Sequence, residues 1–138
     1  MYVTADPKSS MPLNDQIKEQ IRLAVATGIL RPGDQLPTVR EVAGRLRLNP
    51  NTVARAYREL QMEGLLTSRQ GSGTFVSENA KAMGEEEGRR LVAERLRKAS
   101  GLAADLGLDQ KEFAALAERA LREAVNGRKK AEGGSDDA

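Results

Sequence analysis

Cysteine and histidine are both missing from this chain. Together the two absences exclude disulfides, Cys/His zinc sites, thiol nucleophiles and imidazole acid–base chemistry. Carboxylates, lysine, serine and threonine remain for catalysis, and the sequence gathers none of them into a site, so neither an enzyme nor a cofactor is expected. Tryptophan is absent too, and with two Phe and two Tyr there is little to stack on the bases of single-stranded nucleic acid. No uninterrupted apolar run approaches the roughly 20 residues that span a bilayer. The stretch Met1 to Met11 lacks the apolar core of a signal peptide. The expectation is a cytoplasmic protein with no membrane partner, in keeping with the reducing compartment that cysteine-free chains suit.

What is present is unevenly arranged. The 138 residues leave room for one ordinary domain and an appendage. Net charge is only +2, yet Arg40, Arg45, Arg47, Arg55 and Arg58 share their stretch with a single acid, Glu41, before Glu59 is reached. After Asn79 the sequence is dense in charges of both signs and nearly balanced. A basic patch in the first half and a salt-laced helical surface in the second are therefore expected.

Apolar spacing divides the chain. Leu13, Ile17, Ile21, Ala24 and Val25 recur at helical intervals after Pro12, up to a stop at Gly28. Arg31-Pro32-Gly33-Asp34 reads as a turn. Thr38 with Glu41 forms a capping box for a second helix, with Val39, Val42, Ala43 and Leu46 inward. After a break at Arg47-Leu48, Asn49 can cap a third helix with Pro50 in its first turn. At about 100° per residue, Val53, Ala56, Tyr57 and Leu60 gather on one side of that helix. Asn51, Arg55, Arg58 and Met62 lie opposite, flanked by Thr52. Leu65 to Arg69 and Thr74 to Val76 predict two strands around a Gln70-Gly71-Ser72-Gly73 turn. Asn79 to Glu87 reads as a polar, partly ordered link. Val92, Leu96, Ala99, Ala103 and Leu106 then form a helical stripe, with Gly101 inside it leaving the continuity of that helix open. A second stripe runs through Phe113, Leu116, Ala117, Ala120, Leu121 and Ala124, capped by Asp109 with Glu112.

Three helices followed by a glycine-tipped hairpin predict a winged helix-turn-helix. The fold class is mainly α with a small β-hairpin (α+β), carrying a two-helix C-terminal dimerisation segment. The expected divisions are 1–78 for DNA binding, 79–126 for the helical tail and 127–138 as a disordered end. The outer face of the third helix suits the major groove of double-stranded DNA, where arginine grips guanine edges and asparagine adenine edges with paired hydrogen bonds. A glycine-rich hairpin tip can follow the backbone or enter the minor groove.

Three blocks carry a family resemblance: Gly28-Ile29-Leu30-Arg31-Pro32-Gly33-Asp34-Gln35-Leu36-Pro37-Thr38-Val39-Arg40-Glu41, then Asn49 to Leu60, then Glu63-Gly64-Leu65 with Gly71 to Val76. In this order the segment from Leu13 to Val76 resembles the DNA-binding domain of the GntR family, and the short helical tail is similar to that of its YtrA subfamily. The resemblance implies a homodimeric transcription regulator, most simply a repressor, with operator DNA as partner and a transporter operon as the class of target. It implies DNA contacts at Arg40, Asn51, Thr52 and Arg55 and around Gly71 in the wing. Arg58, Arg69, Gln70, Ser72 and Gly73 complete the expected DNA-binding set. One position departs from the family pattern. Pro50 stands where many members carry a basic or hydroxyl residue, which shifts the expected contact to Asn51.

The residues also admit plainer readings. Arg58 can meet phosphate or pair with Glu63, and Arg45 and Arg47 can lie near phosphate or simply be solvated. Tyr57 reads as core. A protein-interaction adaptor built on the same scaffold is the rival function, and it predicts no affinity for duplex DNA. Two short helices bury too little to stand alone, so Val92, Leu96, Ala99, Ala103, Leu106, Phe113, Leu116, Ala117, Ala120 and Leu121 are expected to pair across a two-fold. The sequence names no small-molecule effector.

Overall fold

A computed structural model describes residues 2–135. The chain forms two compact units, Met1–Val92 and Ala93–Ala138. In order it contains α1 (Leu13–Ala26), α2 (Val39–Leu46), α3 (Pro50–Met62), β1 (Leu66–Arg69), β2 (Gly73–Val76), α4 (Ala80–Asp105) and α5 (Gln110–Ser135).

In the first unit, each helix boundary has a local cause. Pro12 holds an extended conformation just before α1. The far end of α1 is closed by Gly28 at φ +82, with Leu30 N donating to Ala24 O at 2.9 Å. Such a left-handed residue satisfies carbonyls that the helix leaves unpaired. Thr38 Oγ1 accepts from Glu41 N at 3.1 Å to start α2, and Asn49 Oδ1 accepts from Asn51 N at 2.9 Å to start α3. Between them Arg47 sits at φ 55, and Leu48 N donates to Ala43 O at 3.0 Å. Two helices and the sharp turn joining them follow from these caps.

The core is built from one face of each element. Ile17, Ile21, Val42, Val53, Leu60 and Val76 are the largest fully buried side chains, and Tyr57 joins them with its ring inside. Its hydroxyl donates to Pro37 O at 2.6 Å, tying α3 to the segment that leads into α2. Burial raises the Tyr57 phenol above its ordinary pKa, so this donor keeps its proton throughout the physiological range. β1 and β2 pair antiparallel, with Leu66 opposite Val76 and Arg69 opposite Gly73. The hairpin is fastened to the preceding loop by three main-chain bonds of 2.8 Å, Gly33 N to Val76 O, Val76 N to Asp34 O and Leu36 N to Thr74 O.

Two expectations are corrected. The stretch from Ala80 to Glu87 is helical and forms the start of α4, where a partly ordered link was expected. Ala80 is buried and Met83 packs against the core, so this segment has an apolar side that its high charge conceals. α4 also continues without a break through Gly101. Further on, α5 reaches Ser135, although disorder was expected from Gly127. Arg128, Lys129, Lys130 and Ala131 are strong helix formers, which carries the helix past Gly127. The remainder of that expectation, 136–138, lies outside the described residues.

The second unit turns at Gly107, which has φ +76, with Leu108 N donating to Ala103 O at 2.9 Å. Asp109 Oδ1 then accepts from Glu112 N at 2.8 Å and caps α5. Ala103 is buried, and Phe113 and Ala117 are half-buried. Leu96, Ala99, Leu106, Leu116, Ala120 and Leu121 are exposed, with Leu106 at 69% and Leu121 at 66%. Among the described residues, the helices of this unit therefore leave most of its apolar positions uncovered. Val92, at the end of the first unit, is 60% exposed.

Candidate nucleic-acid interface

The caps that begin α2 and α3 also decide which side chains reach solvent. With Val53, Ala56, Tyr57 and Leu60 committed to the core, the opposite face of α3 turns outward: Asn51, Arg55 and Arg58 are exposed and Thr52 is half-buried. Arg40 is exposed in the first turn of α2. Arg45 and Arg47 are exposed as well. A helix of this kind presents donors and cations on a surface with the width of a major groove.

Arg55 does not hang free. Its Nε donates to Glu59 Oε1 at 3.0 Å, while Glu59 Oε2 is held by Lys18 Nζ of α1 at 2.5 Å and by Asn14 Nδ2 at 3.4 Å. Lys18 also pairs with Asp15 at 3.3 Å. The hydrogen bonds from Lys18 and then Arg55 hold the Glu59 carboxyl below its ordinary 4.5, and the bond to Glu59 holds the Lys18 ammonium above its ordinary 10.5. Arg58 is a correction to one sequence option. Glu63 is engaged by Arg22, whose Nη2 donates to its two oxygens at 2.6 and 2.7 Å. Residues five apart on a helix fall out of phase, so Arg58 and Glu63 cannot face each other as i,i+4 partners do.

The hairpin tip is Gln70-Gly71-Ser72, exposed throughout, with Gly71 at φ +78 and Gly73 at φ +122. Arg69 is exposed and its guanidinium lies 4.4 Å from the centroid of the Phe75 ring, a cation–π contact that holds the charge at the base of the wing. Gln35 Nε2 donates to Ser72 O at 2.8 Å. A side chain at position 73 would collide with that amide, since a Cβ there would lie 2.7 Å from Gln35 Nε2. Gly73 thus serves a close approach as well as a turn.

The Glu59 bridge, the Gln35 tether and the Arg69–Phe75 stack escaped the sequence reading. Only the first left a local signal, the four-residue spacing of Arg55 and Glu59. The others join residues whose proximity depends on the fold. Among the described residues, no cluster of acidic side chains could hold a metal ion, and no helix is long and apolar enough to cross a membrane.

The pattern of the family described as "Bacterial regulatory proteins, gntR family" matches residues 13–76, the span of the three helices and the wing. The HTH-type transcriptional repressor YtrA of Bacillus subtilis is 43% identical over 95 residues, which are 69% of this chain and 73% of that one. The chain belongs to the GntR family. Among solved structures, a transcriptional regulator from Oenococcus oeni superimposes with a TM-score of 0.68 at 29% identity, covering 84% of this chain and 96% of that one. The DNA-binding domain of AraR, determined in complex with operator ORX1, gives a TM-score of 0.50 at 30% identity over 56% of this chain and 99% of that one. This GntR protein is accordingly a YtrA-like, DNA-binding transcription regulator and not an enzyme.

Proposed function

We propose that this regulator is a homodimeric repressor that reads a near-palindromic operator, with α3 in the major groove and the wing at the backbone or minor groove. The observation that carries the reading is the shared outward face of Asn51, Thr52 and Arg55 on a helix whose other side is locked into the core. Arg55 offers a paired contact to a guanine edge and Asn51 one to adenine. Arg40 and Arg58 supply charge beside them, toward phosphate. At the wing, Arg69, Gln70, Gly71, Ser72 and Gly73 bring a cation, amides and small side chains to the neighbouring strand. The similar AraR domain is described in complex with an operator, and the similar Bacillus protein is described as a repressor. Both support this assignment of partner and of sign.

The dimer contacts come from the apolar positions left uncovered in the tail: Val92, Leu96, Ala99, Leu106, Leu116, Ala120 and Leu121, with Ala103, Phe113 and Ala117 beneath them. Apolar surface of this extent on a small helical unit marks an association site. A two-fold axis would set two copies of α3 one helical turn apart, about 34–36 Å, or a multiple of it. The regulator would act in the cytoplasm, on the cell's own DNA.

Selection of bound duplexes from a randomised pool by the full-length protein, followed by gel-shift titration, tests the proposal. Two related half-sites at whole-turn spacing should emerge. Arg55→Ala should weaken binding to the selected duplex by about 1–3 kcal/mol. Affinity should fall steeply with salt as phosphate contacts release counterions. Recovery of no preferred sequence, or wild-type affinity for Arg55→Ala, would defeat the reading.

A further inference from the structure

The base-reading role of Arg55 leaves its neighbours on α1 and α3 unexplained, and they form a chain that ends on it. Asp15 pairs with Lys18, Lys18 and Asn14 hold one oxygen of Glu59, and the other oxygen of Glu59 accepts from Arg55. The bond to Arg55 is made through Nε. A guanidinium held at Nε keeps its end-on pair, Nη1 and Nη2, free, and that pair matches the two acceptors on a guanine edge. Only 14% of the Lys18 side chain is exposed, against 69% for Arg55, so the anchor of the chain is set back in the fold.

We infer that Glu59, fixed by Lys18, is a positioning residue that presents Arg55 to a guanine and so sets sequence preference. The inference rests on the proposal that Arg55 reads DNA. Freezing a long, exposed side chain on binding costs conformational entropy, and a side chain already held in its bound shape loses less. Glu59 also ties α3 to α1 through Lys18 and Asn14, but that tie uses one of its oxygens and leaves the bond from the other to Arg55 unexplained. A carboxylate there repels phosphate, and its charge alone would weaken binding to every sequence. Glutamine cannot take over the role. It has one acceptor oxygen for two cationic donors, Lys18 Nζ and Arg55 Nε, and its amide donor would oppose whichever of them is left.

The simple field effect and the positioning role therefore make opposite predictions for Glu59→Gln. The test uses full-length protein, a duplex recovered by selection with the wild-type chain, and a duplex of the same bases in permuted order. Fluorescence anisotropy measures both affinities for wild type, Arg55→Ala, Glu59→Gln and the double variant, with Glu59→Ala as a second substitution and thermal unfolding as a check on folding. Positioning predicts that Glu59→Gln lowers the preference for the selected duplex by about 3- to 10-fold, the worth of one ordinary solvent-exposed hydrogen bond, while affinity for the permuted duplex holds or rises. In the Arg55→Ala background the same change should lower the preference no further. Equal tightening on both duplexes in Glu59→Gln and Glu59→Ala would overturn the inference and leave only the charge effect, and so would an undiminished loss in the Arg55→Ala background. If Arg55→Ala alone keeps the full preference, the reading of Arg55 fails first and the inference falls with it.

Discussion

Gly84 and Gly101 lie on the same helix, α4, and replacing each with alanine adds the same methyl group to very different surroundings. Alanine in a helix interior is favoured over glycine by about 0.8–1.0 kcal/mol. At position 101 a Cβ meets nothing within 4 Å, so Gly101→Ala should realise that gain. At position 84 a Cβ would lie 2.9 Å from Val25 Cγ1, 3.0 Å from Ala26 N and 3.3 Å from Ala26 Cα. Two of those three atoms are main chain at the end of α1 and cannot rotate aside. Overpacking of this kind costs about 1–3 kcal/mol, which outweighs the helix gain and leaves a net loss of about 1 kcal/mol. The two substitutions should thus differ by about 2 kcal/mol. Urea unfolding of the full chain would measure both, at one protomer concentration because self-association adds to apparent stability. Tyrosine emission follows the first unit, which contains both Tyr2 and Tyr57, and circular dichroism follows helix content. A rise in midpoint for Gly84→Ala would refute the close approach of α4 to α1.

Other outcomes follow from the same geometry. Tyr57→Phe removes the donor that Pro37 O accepts at 2.6 Å and should cost about 1–2 kcal/mol in urea unfolding, since a part-buried acceptor loses its partner; an unchanged midpoint would show that solvent reaches that carbonyl. Leu116→Glu places a charge on the uncovered face of α5 and should shift sedimentation from a dimer to a 15.0 kDa monomer; a persistent dimer would move the interface elsewhere. The Glu59 carboxyl is depressed in the folded chain, so its contribution to stability is complete above the ordinary 4.5 and is lost as pH falls through the lower folded value. Lys18 has the opposite sign, its contribution being complete below 10.5 and lost as pH rises through its raised folded value. The stability difference between wild type and Glu59→Gln should hence be constant near neutrality and shrink in acid, and a difference independent of pH down to strongly acidic solution would contradict the bridge.

The sequence was most informative where causes are local. Thr38 and Asn49 announce helix starts because a cap and the amide it serves are at most three residues apart. The inward and outward faces of α3 follow from helical geometry alone, which is why the sequence by itself sets Asn51 and Arg55 against Val53 and Leu60. Long-range polar contacts left no such trace. The first residues run beside α1 because Gln20 Nε2 donates to Thr4 O at 2.7 Å and Gln16 Nε2 to Asp6 O at 2.9 Å, with Val3 buried. Nothing periodic marks that strap. The start of α4 was misread for a related reason: Ala80, Met83 and Gly84 make its packed side, and small or isolated apolar residues among four charges look like a solvated link. At the wing the glycines signalled a turn, but their neighbour Gln35 lies 37 positions from the Ser72 carbonyl it binds.

Backbone amide shifts of the isotope-labelled full chain, followed while a selected duplex is titrated in, test most directly whether the exposed side of α3 is where DNA docks. The account predicts large changes at Asn51, Thr52 and Arg55, accompanied by Arg40 and by Arg69 to Gly73 in the wing. Changes confined to other surfaces, with the first turns of α3 unmoved at saturation, would contradict it.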